Sequence, residues 1–152
     1  MGNTITIVGK DTFTIFDRVL SDFADGTIST ITFNNDLVGV KTGKNGNSII
    51  SGNATGLNAI AVLRVMRGSS DDILLLGKLN AQLRDLPSFV LGTGEYVKRL
   101  GDGQGGVKND VYTFVGGSFT KTPDTQENVE GDTEQGVAVY NLTFTRATRS
   151  IQ

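Results

Sequence analysis

One stretch constrains this chain more than any other. Ser69-Ser70-Asp71-Asp72-Ile73-Leu74-Leu75-Leu76-Gly77-Lys78-Leu79-Asn80-Ala81-Gln82-Leu83-Arg84-Asp85 is the single good helix candidate in a sequence that otherwise reads as strand and turn. Ser69 or Ser70 can cap it, because a side-chain oxygen accepts from the unpaired backbone donors of a first helical turn. Asp71 and Asp72 put negative charge at the positive end of the helix dipole, and Arg84 lies near the negative end. Leu76, Leu79, Leu83 and Leu86, joined by Ile73, recur at helical spacing and form the expected packing stripe. Pro87 stops the helix, since a residue before proline avoids the α region. The spacing predicts a helix over about residues 70–85, with Lys78, Gln82 and Asp85 facing outward.

Around that helix the pattern is β. Thr4–Val8 and Asp11–Phe16 alternate polar and apolar residues, as a strand with one buried face does. Asp25-Gly26 is a turn pair, and the β-branched run Ile28–Phe33 follows it. Ala54–Arg67 is the longest strand candidate. Leu57, Ala59, Ala61, Leu63 and Val65 share one face, and Asn58, Ile60, Val62, Arg64 and Met66 share the other. Both faces are half apolar, which predicts a second surface against a partner. Pro87–Leu100 resumes strand with a bulge or bend at Gly92 and Gly94, and Gly116-Gly117 marks a second bend between Val107 and Thr122. Gly136–Arg146 is the cleanest alternation, with Ala138, Tyr140, Leu142 and Phe144 on one face. Val137, Val139, Asn141, Thr143 and Thr145 make a smaller, partly polar face.

Two segments read as loops within a single domain spanning 1–152. Residues 34–53 show little apolar pattern beyond Leu37, Val38 and Val40 and form a long open loop that orders on assembly. Residues 122–135 hold Asp124, Glu127, Glu130, Asp132 and Glu134 without a neutralising cation after Lys121. No internal repeat is visible.

Composition narrows the chemistry. The chain has no Cys and no His, which removes disulfide staples, thiolate metal sites and the commonest general base. Neither metal nor cofactor is expected. A net charge of -2 supplies no basic field for nucleic acid. No apolar run approaches the roughly 20 residues that span a bilayer, and Met1–Ile7 lacks the features of a secretory leader. A protein made in a reducing compartment is expected. Gly101-x-Gly103-x-x-Gly106 matches the dinucleotide fingerprint in letters, but a strand follows it where a helix is needed. Gly39–Asn45 is one residue short of a phosphate-binding loop and ends in Asn. The sequons Asn53-Ala54-Thr55 and Asn141-Leu142-Thr143 carry little meaning without a secretory signal, and Met1–Thr6, loosely like a myristoylation signal, reads as a strand. The acidic segment lacks the spacing that wraps a calcium ion. With no convincing acid/base pair, no catalytic residue is assigned.

Three stretches together resemble a family of phage tail tube proteins: Ile5–Thr14 (ITIVGKDTFT), Asn35–Gly46 (NDLVGVKTGKNG) and Leu63–Asp72 (LRVMRGSSDD). The resemblance implies a mainly β protein, a β-sandwich or open barrel with one flanking helix, whose inner sheet joins neighbouring copies into a ring-wide β-barrel. It implies hexameric rings stacked into a tube through long loops, a lumen that conducts DNA without specific binding, and no membrane. Sheath, tape-measure and baseplate or terminator proteins are the implied partners, and the virion tail, contractile in this reading, is the location, after synthesis in the host cytoplasm. On that resemblance Val139, Asn141, Thr143 and Thr145 line the lumen, while Asp36, Lys41, Lys44 and Asn45 belong to the inter-ring loop. Glu127, Glu130, Asp132, Arg146 and Arg149 make inter-subunit charge contacts, and Leu76, Leu79 and Leu83 pack the helix. The alternative is a β-sandwich binding module for carbohydrate or host, from a baseplate or fibre, which predicts exposed aromatics on loops.

Overall fold

The structure, a computed structural model, describes residues 4–24, 27–53, 56–125, 127, 129, 131 and 133–152. The expected turn pair Asp25-Gly26 lies outside them. The chain forms β1 (Thr6–Ile15), β2 (Arg18–Leu20), β3 (Ser29–Phe33), β4 (Val38–Thr42), β5 (Ser48–Gly52), β6 (Ala59–Met66), α1 (Ser70–Arg84), β7 (Gly92–Gly101), β8 (Val107–Thr125) and β9 (Val137–Ile151). Short 3-10 turns occupy Leu86–Ser88 and Thr133–Gly136. Seven strands make one antiparallel sheet in the order β2-β1-β7-β8-β9-β6-β3, and β4 and β5 pair only with each other.

The alternation read from sequence explains the sheet. Ala59, Ala61, Leu63 and Val65 of β6 and Ala138, Tyr140, Leu142 and Phe144 of β9 are buried on one concave face with Phe13, Ile15, Leu20, Phe114 and Phe119. Their strand neighbours on the opposite face are half exposed. The sheet curls at Gly116, whose φ of 69° suits glycine and whose added Cβ would strike Thr145. Pairing register is unchanged across this point (Phe114↔Ala147, Gly117↔Phe144), yet the buried positions change phase on both strands at once. A bulge falls between Gly92 and Gly94, as their glycines led us to expect.

The sheet closes toward a barrel at one end. Ile15 pairs with Arg18 across a two-residue turn in which Phe16 and Asp17 both take positive φ (51° and 61°). The chain then crosses from β2 to β6, where Ala24 N donates to Arg64 O (3.0 Å) and Met66 N to Asp22 O (2.8 Å). Asp71 holds this crossing. Its carboxylate, wholly buried, accepts from Ser21 N and Asp22 N (both 2.7 Å) and from Arg18 Nε (2.9 Å).

Helix α1 has the expected limits and cap, with Ser69 Oγ accepting from Asp72 N, but it is rotated from the expected orientation. Asp71, Leu75 and Leu79 are its buried residues, whereas Leu76 and Leu83 are 42% and 68% exposed. Of the packing trio Leu76, Leu79 and Leu83, only Leu79 reaches the core. Lys78 and Gln82, expected outside, face the sheet. The Lys78 ammonium stands 5.6 Å from the Phe16 ring centroid, and the Gln82 amide bonds both ways with the Phe119 backbone (2.9 and 2.8 Å). The cause is Asp71: seating its carboxylate on the β2 crossing turns the i, i+4, i+8 row of Asp71, Leu75 and Leu79 inward.

Residues 34–53 are not an open loop. β4 and β5 form a regular hairpin, with Val40 opposite Ile50 and Lys41 opposite Ile49. Its turn is closed by Gly43 N to Asn47 O (2.7 Å), with Gly46 at φ 86°. The missed signal is the turn glycines Gly43 and Gly46, three residues apart, and the β-branched pair Ile49-Ile50, which extends the apolar pattern past the turn.

Candidate assembly surfaces

The hairpin is the first candidate. Every position of β4 and β5 is exposed, including Val40, Ile49 and Ile50, the last two at 70% and 68%. An isolated two-stranded hairpin is marginal in water, and this one presents apolar side chains on both faces. Lys41 stands on β4, Lys44 and Asn45 in the turn, and Asp36 before the hairpin, all exposed. At the hairpin root a mostly apolar cleft of about 470 Å³ opens between Phe33, Leu37, Leu57 and Ala147, with Asn35 and Arg149 at its polar side.

The second candidate is the outward face of the sheet. Val139, Asn141 and Thr143 are half-buried there and Thr145 is exposed. They stand opposite Arg64, Val62 and Ile60 of β6 in the order Val139↔Arg64, Asn141↔Val62 and Thr143↔Ile60. Thr143 also shares a short hydroxyl hydrogen bond with Thr120. The helix covers the other face, where the Tyr140 hydroxyl donates to the Asp72 carboxylate; burial, reinforced by that neighbour, pushes the phenol well above its ordinary range. The outward face is less poor in cations than β9 alone led us to expect. Arg64 lies on it, and Lys121, paired with Asn141 in register, is neutralised by Asp124 at 2.9 Å.

The charged residues expected between subunits are partly engaged within the chain. Glu127 accepts from Arg67 Nη1 at 2.7 Å. Arg149 grips Asp110 in a two-pronged pair (Nε to Oδ1 2.9 Å, Nη2 to Oδ2 2.8 Å) and stands 5.6 Å from the Tyr112 ring centroid. That hydrogen bond holds the Asp110 carboxyl below its ordinary value and raises the guanidinium further. Arg146 is exposed opposite Val115, and Glu130 and Asp132 lie outside the described residues. Arg149 thus has an acidic partner within its own chain, Asp110. Its sequence separation of 39 residues hid it, because only the β8–β9 register brings the two together.

Other chemistry finds little footing. Among the described residues no cluster of acidic side chains is arranged to hold a metal ion. Among the described residues no helix is long and apolar enough to cross a membrane. The Gly101–Gly106 stretch is a hairpin turn between β7 and β8, where Asp102 Oδ1 accepts from Gln104 N and Gly106 N (2.7 and 3.0 Å). Those two bonds lower the Asp102 carboxyl below its usual value.

No protein-family model matches the chain, and no curated protein sequence matches it. Among solved structures, the cryo-EM structure of an extracellular contractile injection system, PVC sheath/tube terminator in its extended state, superposes with a TM-score of 0.57. The match covers 95% of this chain and 94% of that one, at 13% identity. The chain shares that fold. The large antiparallel sheet with a single helix is therefore an architecture found in that solved structure, matched over 95% of this chain.

Proposed function

We propose that this chain is a structural, non-catalytic subunit of a contractile tail or injection apparatus, and specifically a tube subunit that forms stacked hexameric rings. The observation that carries the reading is the β4–β5 hairpin, exposed at every position and apolar on both faces, on a fold that matches a sheath/tube terminator over its whole length. Covering Val40, Ile49 and Ile50 on an adjacent ring stabilises stacking by about 1–2 kcal/mol per side chain. Lys41 and Lys44 add charge contacts that set register more than strength. Within a ring, the free edges of β3 and of the N-terminal part of β1 pair between copies, which removes unpaired strand edges.

In this reading the outward face bearing Val139, Asn141, Thr143 and Thr145 lines the lumen and α1 lies on the outside, because the helix covers the opposite side of the sheet. Small polar side chains there let DNA slide, since affinity for a duplex rises with unneutralised cations. Sheath, tape-measure and baseplate proteins are the partners of such a tube. A second reading, a terminator ring that caps a tube, is favoured by the matched structure itself. The binding-module alternative loses ground, because Phe33, at 39% and on a strand, is the one exposed aromatic among the described residues.

Negative-stain microscopy of the purified protein tests the proposal. Tubes of variable length are expected from wild type, and single rings from the Val40→Asp/Ile50→Asp variant. Wild-type rings that never stack favour the terminator reading. Monodisperse small particles under all conditions refute both.

A further inference from the structure

The tip of the β4–β5 hairpin carries a reactive pair that the assembly reading does not use. Asn45-Gly46 is the one Asn-Gly pair in the sequence. With no Cβ on Gly46, its backbone nitrogen can close on the Asn45 side-chain carbonyl carbon without steric hindrance. Every residue from Lys41 to Ile50 is exposed, and no hydrogen bond holds the Asn45 side chain among the described residues. In the closed turn Gly46 N donates to Gly43 O (3.0 Å), which keeps that nitrogen from attacking. Opening the tip costs little. β4 and β5 pair only with each other and are exposed throughout, so fraying uncovers no core.

A second turn shows what restrains this chemistry. Asp102-Gly103, between β7 and β8, is also exposed and has its glycine at φ 80°. Its carboxylate, however, accepts from Gln104 N and Gly106 N (2.7 and 3.0 Å), and those bonds keep it ionised. An ionised carboxylate is a poor electrophile, and this one is pinned on amides beyond Gly103. Asn45 presents a neutral amide carbonyl and has no such anchor. Two turns that look alike in sequence are therefore chemically unequal.

We propose that Asn45 is a site of spontaneous deamidation that changes the charge and the backbone of the hairpin tip. The Gly46 nitrogen loses its proton to hydroxide and attacks Asn45 Cγ. A C–N bond forms, closing a succinimide ring, while the Cγ–Nδ2 bond breaks; the leaving nitrogen takes a proton from water and departs as ammonia. Water then adds to either imide carbonyl and opens the ring to aspartate or isoaspartate, with nothing oxidised or reduced. Both products place a carboxylate on a hairpin whose Lys41–Ile50 stretch holds two lysines and no acid. Isoaspartate also routes the main chain through its Cβ, which breaks the turn that seats Gly43 N on Asn47 O. One consequence rests on the stacking role proposed above: the altered tip seats poorly on a neighbouring ring, and a seated tip is held closed, so conversion falls on unassembled chains.

The test incubates the full chain at mildly alkaline pH. Peptide mapping by mass spectrometry follows each Asn, and isoaspartyl methyltransferase labelling follows isoaspartate. Asn45 is expected to convert about tenfold or more faster than any other Asn, and faster still as pH rises, because only Asn45 precedes a glycine. Asn45→Gln, whose longer side chain closes a ring less readily, is expected to remove that fast phase, and Asp102 to gain no isoaspartate over the same time. The proposal is overturned if Asn45 converts no faster than Asn47 or Asn53, if the fast phase survives Asn45→Gln, or if Asp102 gains isoaspartate as quickly. Negative-stain images of Asn45→Asp keep the two readings apart. Shortened tubes support the stacking consequence, whereas unchanged tubes alongside rapid conversion refute the stacking role of the tip and uphold the modification site.

Discussion

Replacing Asp71 is expected to cost more than replacing any other charged residue described in the chain. The carboxylate is fully buried and accepts two backbone donors, Ser21 N and Asp22 N, at 2.7 Å each. Asp71→Ala leaves both donors without a partner, at about 1–3 kcal/mol apiece. The Arg18 pair adds at most ~1 kcal/mol, because the Arg18 side chain is 39% exposed and screened by water. The sum is about 4 kcal/mol, which lowers the midpoint of thermal unfolding by about 10 °C in a domain of this size. Asp71→Asn keeps one accepting oxygen but aims an amide donor at a donor, and is expected to lose about half as much. Arg18→Met, which removes only the ion pair, is expected to cost under about 1 kcal/mol. Urea unfolding followed by far-UV circular dichroism measures all three. If Arg18→Met costs as much as Asp71→Ala, or if Asp71→Ala stays within about 1 kcal/mol of wild type, the carboxylate is not what holds the β2 crossing.

The remaining predictions probe other parts of the fold. Leu79→Asp puts a charge into a position only 2% exposed and is expected to abolish folding, whereas Leu83→Asp on the outer face changes stability by about 0.5 kcal/mol or less; expression and unfolding midpoints separate them. Asp17→Gly relieves a positive φ of 61° in a two-residue turn that favours glycine there, and a gain of about 1 kcal/mol is expected by denaturant titration. Arg149→Met tests the Asp110 pair through pH. Asp110 has a lower pKa folded than unfolded, so its contribution is present above the ordinary carboxyl value of 3.8 and is lost as pH falls through the folded value. The stability gap between wild type and Arg149→Met is therefore expected to hold at neutral pH and to close on acidification below 3.8; a gap that widens in acid contradicts the assignment.

Legibility in the sequence followed the range of the interactions. The alternation of β6 and β9 was plain because a period of two residues is written locally, and their core faces appear where the pattern puts them. The limits of α1 were plain for the same reason: Ser69 and Pro87 are punctuation within one turn of the helix ends. The helix face was not. Leucine occurs at 74, 75, 76, 79 and 83, so two stripes compete, and the choice between them depends on Asp71 meeting Arg18 and the Ser21 and Asp22 amides some fifty residues away. Capping and dipole arguments explained the Asp71-Asp72 pair well enough to hide that only Asp72 accepts at the helix start, from Gly68 N, while Asp71 looks across the barrel. The Arg149–Asp110 pair was hidden in a similar way: nothing in the basic C-terminal run points to Asp110 until the β8–β9 register sets the two side by side. The hairpin was lost to its weak apolar count, because neither face is buried within the chain and neither therefore shows a clean alternation.

That last point bears on function as well as on prediction. A globular chain selected to work alone gathers its large apolar residues on faces that it can bury itself. Here the core uses the concave face of the sheet and two leucines of α1, while Ile49, Ile50 and Val40 on the hairpin, and Ile73 and Leu83 on the helix, are left in water. The first set stands on the separate β4–β5 hairpin and the second on the face of α1 turned away from the seven-stranded sheet, and neither belongs to the buried core. Removing them should leave the monomer nearly as stable and change only what it assembles with. The two sets are also separable. If the hairpin residues make the proposed stacking contact, substitutions at Val40, Ile49 and Ile50 abolish it while Ile73→Ser and Leu83→Ser leave it intact; a helix variant that alters stacking would show that the two surfaces are coupled.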